Sequence, residues 1–333
     1  MPGARGLTGR EMDSAPNDSR GAQMVAPVMS DPTGFYNFPL GQRRLIALSE
    51  GFCGAIEPGP GPIPIAADQK PDEVRKLLAR HGHGGGGASA ITLTALALQG
   101  EGPTTLIDSG FGAFATPDGQ NRPGLVASNL QAAGITPEGV ELVIISHPHG
   151  DHIGGLIRPE GGVTYPNARY VMPRREWEFW MDSEPDLSTA LIPDGFRQGM
   201  RYQARTALPQ IQHALDLVDP GEEVAPGVRL VALPGHTHGM AGVEIQSASE
   251  RLLYVADAFM HPIISVKRPD WRVAMDLDHD AAARTRHKLL ERLAASGELV
   301  LAPHFPWPAL GRISKRSGEY EWVAAEWRWW PTT

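Results

Sequence analysis

Apolar and polar positions alternate along this chain in two rhythms. Short apolar runs bounded by turn-forming residues predict strands at Arg44 to Leu48, Ile91 to Leu98, Thr105 to Ile107 and Leu142 to Ile145. The same pattern recurs at Ala168 to Met172, Val228 to Leu233, Val243 to Gln246, Leu252 to Ala256, Leu299 to Ala302 and Tyr320 to Val323. Between them, helical spacing predicts helices over Asp72 to Arg80, Leu125 to Ala133, Arg174 to Met181 and His279 to Ala295. A further helix is expected from Tyr202 to Leu217, with a kink or break at Pro209. Gly59 to Pro64 is too rich in proline for regular structure. Strand and helix signals alternating in two halves predict an α/β layered fold. Residues 1 to 35 mix Gly, Pro, Ser, Asp and Arg without a period and predict a disordered arm. Residues 36–333 are expected to form one domain.

Chemistry-bearing residues fall at the ends of the strand-like runs. Leu142 to Ser146 is followed by His147-Pro148-His149-Gly150-Asp151-His152. His147 and His149 are two apart, so in extended chain they point the same way and can hold one metal. Gly150 allows a sharp turn, after which Asp151 and His152 can hold a second. His236 lies in Pro234-Gly235-His236-Thr237-His238-Gly239, Asp257 closes Leu252 to Ala256, and His304 closes Leu299 to Pro303. Nitrogen and carboxylate donors without thiolate suit zinc, and also manganese, iron or cobalt. Three histidines in six residues can also be a surface cluster. Seven donors at strand ends argue instead for two divalent ions per chain.

The pattern H-x-H-x-D-H, then His, Asp and His, resembles the metallo-β-lactamase superfamily. Gly235 to Gly239 is similar to its second histidine motif, and Asp108-Ser109-Gly110 to its early Asp-Ser/Thr-Gly turn. A closer resemblance, over about Leu45 to Trp322, is to methyl parathion hydrolase and its relatives. It is carried by Tyr165 to Ala168, Glu176-x-x-Phe179-Trp180, Gly195-Phe196-x-x-Gly199-Met200 and Ala302 to Pro306. The resemblance implies a four-layer αββα sandwich. It implies that His147, His149 and His236 hold one ion and Asp151, His152 and His304 the other, with Asp257 bridging. Asp151 and Asp257 are the expected catalytic carboxylates. Asp108 and His238 are expected to support the ligands. Trp180 and Phe196 match the gating aromatics of methyl parathion hydrolase; Phe111, Phe114 and Phe305 are further candidates for a pocket wall. Lactonases of the superfamily that open acyl-homoserine lactones carry a tyrosine three positions after the bridging aspartate. Here that position is Met260, so aryl esters and aryl phosphotriesters are expected ahead of long-chain acyl lactones.

Composition narrows the partners. With 30 basic and 38 acidic residues the formal charge is −8, which argues against a nucleic-acid surface. No apolar run is long enough for a membrane span. The single Cys53 and a start without an apolar leader fit a cytoplasmic, reducing location. The N-terminal arm can pack on a second copy, making a homodimer an option. His81 and His83 flank Gly84 to Gly87, a poor platform for a rigid ligand pair. The expected function is hydrolysis of small esters, phosphotriesters or lactones by metal-activated water. An iron-dependent oxidoreductase and a binding protein without catalysis are the competing readings.

Overall fold

The computed structural model describes residues 34–53, 56–57, 63–82, 91–115 and 124–326, all in the unit Thr33–Thr333. Its first half runs β1 (Phe35–Leu40), β2 (Arg43–Cys53), β3 (Ile56–Glu57), β4 (Ile63–Pro64), α1 (Pro71–Arg80), β5 (Ile91–Gln99), β6 (Thr105–Ile107), α2 (Val126–Ala132), β7 (Leu142–Ile144), α3 (Gly150–Ile153), β8 (Arg169–Pro173), α4 (Arg174–Met181) and α5 (Asp194–Ile211). The second half runs β9 (Leu215–Val218), β10 (Glu223–Ala225), β11 (Val228–Ala232), β12 (Ala241–Ser247), β13 (Glu250–Tyr254), α6 (Ile264–Lys267), α7 (His279–Ser296), β14 (Leu299–Leu301), β15 (Leu310–Arg316) and β16 (Glu319–Ala324).

Two seven-stranded sheets result, ordered β1-β2-β5-β6-β7-β8-β9 and β10-β11-β12-β13-β14-β15-β16. Each is mixed: β6, β7, β8 and β9 pair in parallel, as do β13 and β14. Strand alternation explains the layering. In β2, Leu45 and Ala47 join a core shared with Val243, Ile245 and Leu252 of the second sheet. Ile46 and Leu48 point the other way, into a core with Val74 and Leu77 of α1, Leu130 of α2 and Ala204 of α5. Leu289, Leu290 and Leu293 of α7 pack against the second sheet. Helix, sheet, sheet and helix layers follow: the αββα sandwich.

Several boundaries differ from the sequence pattern. The first strand lengthens to Cys53 and pairs with β1, which the pattern did not mark; Gly41, at φ +58°, makes the hairpin between them. The helix expected from Tyr202 begins at Asp194, because Gly195 and Gly199 masked its period. Pro209 sits inside its last turn without ending it, and Leu215 to Val218 leaves the helix to pair with β8. Ile63 and Pro64, inside the proline-rich stretch, pair with β3. Residues 1–33 of the expected arm, His83, Gly84 to Gly87, and Trp327, Trp329 and Trp330 lie outside the described residues. No helix among the described residues is long and apolar enough to cross a membrane.

Glu50, near the end of β2, fixes the connection toward the site. It is buried and accepts the N–H groups of Phe111 (2.7 Å), Gly124 (2.6 Å) and Val126 (2.8 Å). Burial pushes its carboxyl from 4.5 up to about 7, against the pull of those N–H donors. A carboxyl raised in the folded state stays protonated there while the unfolded chain ionises. Its contribution to stability is therefore complete below the unfolded pKa and declines as pH rises through the folded one. Between pH 5 and 8 the wild type is expected to lose about 2 kcal/mol of unfolding free energy relative to Glu50→Gln. Urea denaturation at both pH values checks this; parallel pH profiles for the two proteins would refute it.

Candidate metal centre

The centre forms where strands of both sheets end. After β7, Ser146 donates its N–H to Asp108 Oδ1 (2.8 Å) and its Oγ–H to Oδ2 (2.7 Å). Tyr254, at the end of β13, donates its hydroxyl to the same Oδ2 at 2.8 Å, and His152 Nδ1 lies 2.7 Å from it. Asp108 itself sits at φ +56°, a conformation that an aspartate tolerates better than most residues. One carboxylate thus joins the ends of β6, β7 and β13 and turns His152 Nε2 toward the centre. His149 is in an extended conformation, at φ −71°, ψ 153°, before α3 turns back.

Two donor groups converge there: His147, His149, His236 and Asp257 in one, Asp151, His152, His304 and Asp257 in the other. In the first, His149 Nδ1 stands 3.1 Å from His147 Nε2 and 3.0 Å from His236 Nε2. In the second, Asp257 Oδ1 is 3.1 Å from His152 Nε2, and Oδ2 is 3.1 Å from His304 Nε2. Asp257 Oδ2 also lies 3.2 Å from His236 Nε2, so one carboxylate faces both groups. Ligands about 2 Å from a tetrahedral zinc stand about 3.3 Å apart, close to these separations. His152 Nε2, His304 Nε2 and Asp257 Oδ1 are buried with no hydrogen-bond partner. Buried polar atoms left this way cost stability unless something occupies the space between them. These residues fit a dinuclear metal site.

The local field is divided. Burial lowers His147 well below the usual imidazole range, and the neighbouring His152 adds to this; burial, with His236, lowers His149 to about 3. Both are therefore neutral, the form that ligates a cation. Burial pushes Asp257 up, but His304, His152, His147 and His236 outweigh it and hold the carboxyl well below the carboxylate range. Burial pushes His152 and His304 down, yet Asp257 and Asp151 raise both. These two rings, with Asp151 and Asp257, would hold the second cation, and a ring that ligates must be neutral, so that ion's binding would depend on pH.

Further supports were not legible in the sequence. His236 Nδ1 lies 3.0 Å from Asp276 Oδ1, and Arg286 Nη1 donates to Asp276 Oδ2 at 3.0 Å. Asp276 is forty residues beyond His236, in the loop before α7, so no local spacing links them. Glu176, buried in α4, accepts Trp180 Nε1–H at 2.9 Å and the Gly239 N–H, which clamps the His236 loop onto α4. His238, expected to support the ligands, is half-buried with its ring 4.8 Å from that of Phe179 and belongs to neither donor group. Asp276 is a partner of His236 that the sequence did not mark.

The aromatic candidates separate. Trp180 is fully buried, its ring 5.6 Å from that of His149. Phe305 is also fully buried, stacked on Phe259 and edge-on to Trp322, which makes it core and not a pocket wall. Phe196 is 37% exposed. Phe111 and Phe114 are half-buried, and Phe114 meets Tyr202 of α5. His261 is buried, with Nδ1 accepting the N–H groups of Ile263 and Ile264 at the start of α6. His81 is exposed at the end of α1 and in neither donor group.

Asp276→Asn is expected to weaken zinc binding about 10- to 100-fold, the usual effect of losing a ligand's support. His238→Ala is expected to retain wild-type affinity. Chelator competition on the purified proteins reads both, and weaker binding by His238→Ala alone would reverse the assignment.

Comparison with known proteins places this geometry. The sequence profile of the Metallo-beta-lactamase superfamily matches residues 91–304. N-acyl homoserine lactonase AttM of Azorhizobium caulinodans is 27% identical over 199 residues, covering 58% of this chain and 68% of that protein. An N-acyl homoserine lactonase of a Bacillus species is 27% identical over 122 residues, 37% of this chain and 39% of that protein. Among solved structures, AidC, a dizinc quorum-quenching lactonase in complex with the product N-hexanoyl-L-homoserine, superimposes with a TM-score of 0.80. It shares 26% identity, with 89% of this chain and 98% of that chain covered. The hydrolase AbOPH shares the fold, with a TM-score of 0.77, 24% identity and coverage of 89% and 98%. With its profile match spanning both donor groups, the chain belongs to the metallo-beta-lactamase superfamily and is a metal-dependent hydrolase.

Proposed function

We propose that this enzyme opens the ring ester of N-acyl homoserine lactones and cleaves related small esters at a dizinc centre. The convergence of seven donors, six of them buried, into two groups sharing Asp257 carries the reaction type. The likeness to lactonases at 26–27% identity supports the substrate class. Two cations held this way supply Lewis acidity and acidify water near neutral pH. Asp257, facing both groups, would contribute to holding both ions. The Asp151 side chain keeps 9% of its surface accessible, against 3% or less for His147, His152, His236, Asp257 and His304. That accessibility supports a role for its carboxylate in taking a proton from the attacking water and returning it to the leaving oxygen. Asp108, Asp276 and Glu176 hold the ligand loops still while this happens. No serine or cysteine nucleophile is needed.

The lactone ranks first here, ahead of the aryl esters expected from the sequence. The expectation of aryl substrates relied on an aromatic wall, and Trp180 and Phe305 have no accessible surface to offer a ring-bearing leaving group. Met260 is buried and its N–H is bound to Ser265 Oγ, so a carbonyl donor comes from another residue. Phe196 remains the observation that favours aryl esters as a second substrate class.

Zinc-reconstituted protein is expected to hold about two equivalents per chain by elemental analysis, as two-ion hydrolase centres do. Asp257→Ala should lower both occupancy and turnover; full zinc content in that variant would remove Asp257 from the centre. In a substrate comparison, kcat/KM for N-hexanoyl homoserine lactone is expected to exceed that for aryl esters and aryl phosphotriesters. Rapid aryl ester turnover with intact lactone would refute the substrate class and leave the metal assignment standing.

A further inference from the structure

Gly150 stands between His149 and Asp151, one from each donor group. A Cβ added to it would lie 2.6 Å from Cδ and 2.8 Å from Nε2 of Gln203 on α5. The carboxamide of Gln203 therefore fills the space that any larger residue at 150 would claim, directly beside the metal loop. Gln203 is half-buried, and its amide makes no hydrogen bond to another described residue. Three buried acids around the loop are engaged. Asp108 accepts from Ser146 and Tyr254, Glu176 from Trp180, and Asp276 from Arg286. Gln203 keeps both kinds of hydrogen-bonding group available.

A primary carboxamide offers N–H donors and a carbonyl acceptor in one plane. Such a group can donate to the C=O of a secondary amide or accept from its N–H, one at a time in a trans amide, whose two groups point opposite ways. Along α5, Phe196 and Gly199 precede Gln203 by seven and four residues, which puts all three on one face. Phe196 stands about 10 Å from Gln203 along the helix axis. A Cβ at Gly199 would meet nothing within 4 Å, so the space between the two side chains is open. Phe196, at 37% exposure, supplies apolar surface at the far end.

We propose that Gln203 is a specificity-determining residue that hydrogen-bonds the secondary amide of an N-acyl substrate, with the acyl chain running along α5 toward Phe196. This rests on the N-acyl ester reading of the same site and names the residue that distinguishes such substrates from plain lactones. The competing role for Gln203 is to fill the space over Gly150. Gln203→Leu keeps the volume and removes the amide, so it separates the two roles.

The experiment compares N-hexanoyl homoserine lactone with an amide-free γ-lactone of equal chain length, on wild type and Gln203→Leu. The ratio of kcat/KM for the two substrates is expected to fall about tenfold, mostly through KM, as for one net hydrogen bond lost on binding. Gly150→Ala, which displaces the amide while retaining Gln203, should lower the same ratio. Calorimetry with the ring-opened N-hexanoyl-homoserine on zinc-loaded protein should show about tenfold weaker binding for Gln203→Leu. An unchanged ratio together with unchanged product affinity overturns the proposal, as does a wild type that does not bind the product. If wild type turns over neither lactone yet binds the product more weakly after substitution, the lactonase reading fails and the role of Gln203 stands.

Discussion

The site depends on one buried carboxylate that is not among the donors to the centre. Asp108 is almost wholly removed from water, a placement that is costly for a charge unless several hydrogen bonds replace its solvation. Ser146 and Tyr254 donate to it, and His152 faces it. These partners come from the ends of strands in both sheets. The interaction that solvates the carboxylate therefore also locks the two sheets together at the rim where the donors emerge. It fixes which ring nitrogen of His152 turns inward, which no property of the histidine itself decides.

The same device recurs around the centre. Glu50 gathers three backbone N–H groups where the chain passes from Phe111 to α2. Glu176 ties the His236 loop to α4, and Asp276 joins His236 to Arg286. In each case a buried acid is satisfied by a loop that carries or borders a donor. Loops are ordinarily the mobile part of a fold. Here their positions are set by hydrogen bonds to buried acids, which gives the centre the positional precision that metal chemistry requires. Around these loops, Asp151, Gln203 and Phe196 retain accessible surface.

The resting electrostatics follow from the same burial. Neutral His147 and His149 lie on one side; His152 and His304, raised by the carboxylates of Asp257 and Asp151, lie on the other. A site of this kind is prepared for positive charge: its acids remain ionised despite burial because the surrounding rings compensate them.

The sequence alone carried the layered α/β class, because strand and helix periods alternate and depend on local spacing. It also carried His147, His149, Asp151 and His152, which fall within six residues, and His236, Asp257 and His304, each marked by the apolar run it closes. Boundaries were weaker where glycine or proline blurred a period, as at the start of α5 and at β1. What depends on distant residues was not legible. Asp276 reaches His236 from forty residues away, Glu50 meets Phe111 across a sheet, and Gln203 enters the space above Gly150 because α5 crosses α3. Phe305 read as a pocket residue from its position beside His304, but packing against Phe259 and Trp322 turned it into the core. Sequence spacing determines which groups a strand can deliver to its own end. Only the tertiary structure decides which distant groups meet them there, because that contact depends on how the two sheets and their helices pack.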